Sequence, residues 1–203
     1  MEFLVTMTTT VPAGTTPDEV ADMRAREALN TGNLAAKGQV RRLWRPPLGP
    51  GEWRSIGLFA AGDPDELEAV LATMPLRVWR SDEVTPLGAF PNDPGADRVP
   101  FEPDAREFLV HFKVKVPEGT RREEAEERFE QEAAQTRRLA GEGRLVRLWT
   151  VPGGRGAGLW QTTGDDQTRH ILRSLPLADW LTTETVPLTP HPSDPATLAA
   201  AAR

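Results

Sequence analysis

Cysteine is absent from this chain of 203 residues, and histidine occurs only three times. The lack of cysteine excludes disulfides, thiolate metal sites and cysteine nucleophiles, and it fits a reducing compartment. No apolar run is long enough to span a membrane, and the N-terminal residues lack the basic start and small-residue cleavage site of a signal peptide. We therefore expect a soluble cytoplasmic protein without a membrane partner.

Positive charge is in the minority, with 24 Lys and Arg against 30 Asp and Glu, a formal charge of -6 and a pI near 5.2. Because nucleic-acid binders need a basic surface, we predict no nucleic-acid partner. Metal-ligand spacings, Gly-rich phosphate loops and Ser-His-Asp sets are also missing, so we predict no metal and no cofactor. The 38% hydrophobic content is sufficient for packed cores.

The two halves of the chain repeat each other. The segment EFLVTMTTTVPAGT, which begins at Glu2, returns as EFLVHFKVKVPEGT at Glu107, and EVTPL at Glu83 corresponds to ETVPL at Glu184. Collinear matches of this kind predict a tandem duplication. The predicted segments are repeat 1 at 1–92, a linker at 93–106, repeat 2 at 107–195 and a loosely held tail at 196–203.

Local patterns predict the same elements in both repeats. Alternating apolar residues predict a first strand, while Thr16 as N-cap, Pro17 in the first turn and Gly38 as the stop delimit a helix. Two strand-like segments, a short helix opened by Asp63 and a final strand follow. The βαββαβ order predicts an α+β fold of two tandem ferredoxin-like domains, with antiparallel sheets packed against each other.

The first helix of each repeat carries a glutamate in its apolar stripe. Glu27 shares a helical face with Val20, Met23 and Leu34, and Glu132 takes the equivalent position in repeat 2. Burial among apolar neighbours raises the pKa of a carboxyl and makes it a competent general base, so both glutamates are candidate catalytic residues. The alternative is that both lie at the edge of the stripe and reach solvent.

Arg42 and Trp44 lie on one face of the second predicted strand, and Arg147 and Trp149 repeat this arrangement. A guanidinium beside an indole can hold a substrate carboxylate while the ring walls an apolar pocket, so these four residues are candidate substrate ligands. The alternative is a solvated arginine packed over a core tryptophan.

Among the histidines, His191 is the best candidate for a site. It lies in the Pro-rich segment TPHPSDP, which can reach a neighbouring unit, whereas His111 and His170 are predicted on exposed surfaces. A structural role is the alternative for His191. We include it among the candidate catalytic residues.

Several of these segments together resemble the muconolactone isomerase family. They are an M-x-F-x-V-x-M strand, a helical A-R-E, a G-x-x-R-x-L-W-R strand, a P-L pair, and a closing E-V-T-P-L followed by His-Pro. The resemblance implies a ferredoxin-like subunit that assembles into a homo-oligomer, and a cofactor-independent 1,3-proton shift in a small unsaturated lactone. It places the family's helix glutamate on Glu27 and Glu132.

The departures from the family pattern concern polar positions. Arg42 and Arg147 stand where the family has histidine, and the family's third-strand asparagine is Ser55 in repeat 1 and Gly156 in repeat 2. The closing histidine is kept as His191 but is phenylalanine in repeat 1. Ser55 is therefore a candidate substrate ligand, and we expect that the copies have diverged, leaving one working pocket.

Three functions are compatible with these observations. The first is a cofactor-independent acid-base isomerase acting on a lactone or related carbonyl compound. The second is a cyclase, dehydratase or double-bond isomerase acting on a polyketide-like natural-product intermediate, and the third is a non-catalytic binding or assembly module. An apolar pocket that contains either glutamate argues against the third.

Overall fold

The computed structural model describes residues 1–95, 102 and 104–201. Residues 96–101 and 103 of the predicted linker lie outside the described residues, as do 202 and 203 of the predicted tail. The chain forms two compact units. Unit 1 contains Met1–Leu87 and Thr189–Arg203, and unit 2 contains Gly88–Leu188.

Unit 1 is built from repeat 1 and the end of the chain. Its elements are β1 (Glu2–Thr9), α1 (Pro17–Ala36), β2 (Val40–Arg45), β3 (Arg54–Ala60), α2 (Pro64–Ala72), a 3₁₀ turn (Pro75–Trp79) and most of β4 (Arg80–Ala89). The strands pair antiparallel in the order β4-β1-β3-β2. Beyond β2, Thr189 and Pro190 pair with Arg45 and Trp44 and extend the sheet.

Unit 2 repeats this arrangement. Its elements are β5 (Arg106–Val114), α3 (Arg122–Gly141), β6 (Leu145–Val151), β7 (Arg155–Thr162), α4 (Asp165–Arg173), a 3₁₀ turn (Ala178–Trp180) and most of β8 (Leu181–Pro190). The strands pair antiparallel in the order β8-β5-β7-β6, and Gly88 and Ala89 of β4 extend the sheet beyond β6. The α+β class and the βαββαβ order are thus confirmed.

The helix signals in the sequence operate as predicted. Thr16 and Glu19 form a capping box in which each side chain accepts from the other's backbone N–H, and Pro17 opens α1. Gly38 follows the helix with a φ of 73°, the left-handed region that glycine enters without strain. α2 begins after Asp63, whose side chain accepts from the Glu66 N–H.

Each unit has its own apolar core between its sheet and its helices. In unit 1 the core includes Phe3, Val5, Phe59 and Leu71, all almost completely buried. In unit 2 it includes Phe108, Val110, Leu145 and Trp160. Separate cores mean that each unit positions its own first helix, and with it the glutamate, against its own sheet.

The chain passes from one unit to the other within β4 and within β8. Residues from Thr189 onward therefore complete unit 1, although 189–195 belong to the predicted repeat 2. They include a further helix, α5 (Pro195–Ala201), which packs on β2. The structure thus forms a helix through Ala201 where the sequence predicts a loosely held tail.

Candidate active site

Glu27 lies on α1 with its carboxylate held at one side of a pocket in unit 1. Its Oε2 accepts a hydrogen bond from the Leu76 N–H at 2.9 Å, and its Oε1 is 3.2 Å from Nη1 of Arg80. The side chain is only 13% exposed. Glu27 is therefore partly buried, and the Leu76 N–H holds one of its carboxylate oxygens in place.

Arg80 is shared between Glu27 and a second carboxylate. Its Nε is 2.6 Å from Oδ1 of Asp82, its Nη2 donates to Asp82 Oδ2 at 3.0 Å, and both side chains are almost completely buried. Arg77 also donates to Asp82, and on its other side to Glu68 at 2.8 Å. Asp82 thus compensates much of the charge of Arg80 and weakens the interaction of Arg80 with Glu27.

Burial raises the pKa of Glu27 above its ordinary value. The hydrogen bond from Leu76 and the charge of Arg80 oppose this rise, while the charge of Asp82 supports it. Desolvation disfavours the charged form of a carboxyl, and a carboxyl with a raised pKa is a stronger base once it is ionised. This is the property expected of a group that both removes and returns a proton.

His191 reaches the same pocket from the segment after β8. Burial, together with the positive charges of Arg45 and Arg24, lowers the pKa of His191 to about 4, so the ring is neutral near pH 7. Nδ1 accepts from the Ser193 N–H at 3.1 Å, and the His191 N–H donates to the Leu43 carbonyl at 2.9 Å. Because Nδ1 is the acceptor, the proton resides on Nε2, which becomes a neutral donor.

The pocket between these groups has a volume of about 200 Å³. An apolar cavity of about 150 Å³ binds benzene in another protein, so this volume suits a single-ring molecule. The pocket is lined by Met7, Thr9, Arg24, Glu27, Thr31, Leu43, Arg45, Trp53, Ser55, Met74, Leu76, Arg80, His191 and Pro192.

Two exposed arginines stand at this pocket. The guanidinium carbon of Arg24 lies 4.3 Å from the centre of the Trp53 ring, and Arg45 ends β2. Among the described residues, neither arginine forms a salt bridge with a carboxylate. The site therefore offers two available positive charges beside an apolar wall, an arrangement that suits an anionic group on a ligand.

Arg42 lies elsewhere. Its Nε donates to Oδ1 of Asp194 at 3.1 Å, both side chains are fully buried, and its guanidinium lies 4.8 Å from the Trp44 ring centre. The same carboxylate accepts from the Leu43 N–H at 2.9 Å. Neither Arg42 nor Trp44 is among the residues that line the pocket, so the structure does not bring this pair together with Glu27, and its assignment to substrate binding stays a prediction.

Arg147 and Trp149 have the equivalent position in unit 2. Arg147 Nε donates to Oδ1 of Asp93 at 3.2 Å, and the same oxygen accepts from the Leu148 N–H at 2.7 Å. The Arg147 guanidinium lies 5.0 Å from the centre of the Trp149 ring. The arginine of this pair is thus also held by a carboxylate, here from the segment after β4, and its assignment to substrate binding likewise stays a prediction.

Ser55 and Glu132 complete the predicted residues. Ser55 lines the unit 1 pocket and lies opposite Met7 in the sheet. Glu132 lies in a separate pocket in unit 2, where its Oε2 accepts from the Leu177 N–H at 3.0 Å. Burial raises the pKa of Glu132 as well, opposed by that hydrogen bond. Unit 1 thus brings Glu27, His191 and Ser55 together, whereas Glu132 stands apart.

The sequence analysis missed Arg24, Arg45, Arg80 and Asp82. Comparison of the two repeats contains a signal for them, because all four positions lose their charge in repeat 2. The residues there are Phe129, Thr150, Leu181 and Thr183 respectively. These four charges are therefore present in only one of the two copies.

The described part of the chain contains neither a candidate metal cluster nor a candidate membrane-spanning helix. Within residues 1–95, 102 and 104–201, no three His, Asp or Glu side chains gather so that they could hold a metal ion. Within the same residues, no helix has the length and apolar character needed to cross a membrane. The homo-oligomer and the cytoplasmic location stay predictions.

Comparison with known proteins gives a match to both repeats. A sequence model of the muconolactone delta-isomerase family matches residues 1–93 and 106–194. The muconolactone delta-isomerase of Cupriavidus pinatubonensis (strain JMP 134 / LMG 1197) is 30% identical over 92 residues, which are 45% of this chain and 97% of that protein.

Solved structures are similar to one repeat or to the whole chain. A crystal structure of muconolactone isomerase is 26% identical, with a TM-score of 0.43, over 48% of this chain and 99% of that one. A haem-binding protein from Thermus thermophilus is 12% identical, with a TM-score of 0.60, over 100% of this chain and 96% of that one. At this identity the second likeness concerns the fold alone.

Proposed function

The chain belongs to the muconolactone delta-isomerase family, and we propose that the pocket of unit 1 shifts a proton, and with it a double bond, in a small unsaturated lactone or related carbonyl compound. The observation that carries this proposal is the placement of Glu27. Its carboxylate is fixed by the Leu76 N–H and lies in a pocket of single-ring size. A positioned carboxylate with a raised pKa supports proton transfer at carbon.

In the proposed reaction one carboxylate, that of Glu27, carries out both proton transfers. In an α,β-unsaturated lactone, Glu27 removes the proton from the γ-carbon, and the electrons of that C–H bond move through the conjugated system onto the carbonyl oxygen to form a dienolate. The protonated Glu27, whose proton exchanges with solvent, then delivers a proton to the carbon beside the carbonyl, the double bond moves to the β,γ position, the carbonyl re-forms, and the carboxylate is restored. Because no electrons leave the substrate, these steps need no oxidant or reductant.

His191 is proposed to stabilise the dienolate. A neutral imidazole with its proton on Nε2 can donate a hydrogen bond to the developing oxyanion. The ring does not need to be positively charged for this role. It would not serve as the acid near pH 7, because a group with a pKa of about 4 is deprotonated there. Proton transfer is therefore assigned to Glu27 and oxyanion stabilisation to His191.

Arg24 and Arg45 are proposed to hold a carboxylate of the substrate. Both line the pocket without a carboxylate partner among the described residues, and Trp53 beneath Arg24 forms an apolar wall. A substrate with one anionic end and one lactone ring would place the anion at the arginines and the ring toward Glu27. Such two-point binding aligns the reacting carbon with the base.

A second candidate is a related proton transfer on a natural-product intermediate, such as a dehydration or cyclisation. It is favoured by Ser55, which lines the pocket where the family has asparagine, and by the structural use of Arg42 where the family has histidine. Both enzyme functions share the same base. The partly buried Glu27 supports either of them over a purely non-catalytic module.

The proposal is tested by NMR of muconolactone and related enol-lactones incubated with the protein in D₂O. Deuterium uptake beside the carbonyl, with formation of the double-bond isomer, is the expected result. If neither muconolactone nor any related enol-lactone takes up deuterium, the proposal that the protein is a lactone isomerase is overturned. Exchange into a polyketide-like β,γ-unsaturated ketone alone would then favour the second candidate.

A further inference from the structure

Unit 2 contains its own pocket around Glu132, with a character different from that of unit 1. Its volume is about 90 Å³, compared with about 200 Å³ in unit 1. Phe90, Phe112, Phe129 and Trp160 form much of its wall, and none of the described residues that line it is Lys, Arg or His. The pocket is thus an apolar space containing one acidic group.

The loss of charge follows a consistent pattern between the repeats. Four positions that are charged or titratable in the unit 1 pocket are apolar or neutral in unit 2: Arg24 is Phe129, Arg45 is Thr150, Arg80 is Leu181, and His191 is Phe90. The glutamate and a threonine one turn after it are kept, as Glu132 and Thr136. The acidic group has therefore been retained while the three arginines and the histidine around it have been replaced.

One pair of facing residues in the sheet differs between the two repeats in a way that makes room for an aromatic ring in unit 2. Phe112 lies directly opposite Gly156, and a Cβ built on Gly156 would come within 2.2 Å of the Phe112 ring. Any side chain at position 156 would displace that ring. In unit 1 the same pair is Met7 and Ser55, in which a flexible side chain leaves room for a hydroxyl. Phe112 also packs edge-on against Phe90, with ring centres 5.8 Å apart.

Glu132 has one carboxylate oxygen held by a backbone donor. Oε2 accepts from the Leu177 N–H at 3.0 Å, while the Thr136 hydroxyl donates to the backbone carbonyls of Glu132 and Ala133. No salt bridge to Glu132 is present among the described residues. An anionic ligand would here meet a carboxyl and no cation, which is unfavourable in an apolar space.

We propose that unit 2 is a second binding site, for a small neutral apolar molecule that carries a carbonyl group, with the Glu132 carboxyl donating a hydrogen bond to that carbonyl. The aromatic wall buries the hydrocarbon part of the ligand, and the acid fixes its orientation. Burial favours the protonated carboxyl that this hydrogen bond requires. This site is independent of the reaction proposed for unit 1.

The probe for the test is cyclopentanone, and the matched anionic probe is 3-oxocyclopentane-1-carboxylate. Each is titrated into the full chain while the indole N–H signal of Trp160, assigned with Trp160→Phe, is followed by NMR. We expect saturable shifts with cyclopentanone, with a dissociation constant on the order of 1 mM, and at least tenfold weaker binding of the carboxylate at this signal.

Two variants decide whether the probe occupies this pocket. Thr183 lines the pocket and is exposed in unit 2, so Thr183→Trp should block it while retaining the dispersed tryptophan signals of a folded protein. We expect this variant to abolish the shifts, and Glu27→Gln to leave them unchanged. Absence of saturable shifts in the parent, or equal shifts in a folded Thr183→Trp protein, would overturn the proposal.

Discussion

Asp194 forms a fully buried ion pair with Arg42, with Oδ1 lying 3.1 Å from Nε, although the two residues are far apart in sequence. The same carboxylate accepts from the Leu43 N–H. His191 lies three residues before Asp194 and lines the unit 1 pocket. The ion pair therefore holds the segment that carries His191 against β2, and it couples the stability of unit 1 to the geometry of its site.

Replacing Asp194 with alanine should destabilise the protein by about 3 kcal/mol, because a buried guanidinium loses an ionic partner and a buried N–H loses its acceptor. Urea unfolding measures this change. The matched control is Asp93→Ala in unit 2, whose ion pair with Arg147 is more exposed, so the loss should be smaller. Equal losses in the two variants would contradict the claim that the deeper burial of the Arg42–Asp194 pair makes its loss the more destabilising one.

The pH dependence of stability should depend on Glu132. Its pKa is raised in the folded state, so the folded protein binds more protons than the unfolded chain between the two pKa values. Stability is then highest below the unfolded pKa of about 4.3 and falls as the pH rises through the folded value. Glu132→Gln, which keeps an acceptor for the Leu177 N–H, should remove this fall.

Chemical unfolding between pH 4 and pH 8 checks that prediction. We expect Glu132→Gln to be more stable than the parent at the upper pH and equal to it at the lower pH. A variant that is less stable at the upper pH would show that the ionised carboxylate is favoured in the folded state, contrary to its apolar surroundings.

Asp82 should set the strength of the proposed base through Arg80. Asp82→Asn removes the charge that compensates Arg80, which leaves Arg80 to stabilise ionised Glu27 and lowers the pKa of Glu27. We expect kcat to fall about three- to tenfold and the acidic limb of the pH–rate profile to move to lower pH. Glu68→Gln, at the exposed end of the same charge network, should leave the profile unchanged.

Arg24 and Arg45 should determine the preference for an anionic substrate. The variants Arg24→Phe and Arg45→Thr introduce the residues of repeat 2. Each should raise KM for a carboxylate-bearing lactone about tenfold, with a smaller effect on kcat, because the charge acts in binding. The methyl ester of the same lactone is the control substrate. If its KM rises equally, the arginines do not act on the carboxylate.

The sequence predicts the fold well because its signals are local. The N-cap at Thr16, the stop at Gly38 and the apolar stripe around Glu27 all act within a few residues of the chain, and the stop recurs in repeat 2 at Gly143. These signals place the helix, and the helix directs Glu27 inward. The repeat then predicts the same for Glu132.

The remainder of the site depends on contacts between distant segments. Arg42 has the chemistry of a substrate ligand until Asp194, from the end of repeat 2, is found to pair with it. Arg24 is exposed on its helix, and only the proximity of Trp53 and Arg45 makes it part of a pocket. Charged residues are common on protein surfaces, so no single one identifies itself as a ligand without the fold.

The central claim is that Glu27 of unit 1 carries the proton, and comparison of Glu27→Gln with Glu132→Gln tests it most directly. Deuterium exchange into an enol-lactone that the parent accepts is measured by NMR for both variants. The proposal predicts that Glu27→Gln lowers the rate about 10²–10⁴-fold while Glu132→Gln retains it. Full exchange by Glu27→Gln, or its loss in Glu132→Gln alone, would contradict the assignment of the reaction to unit 1.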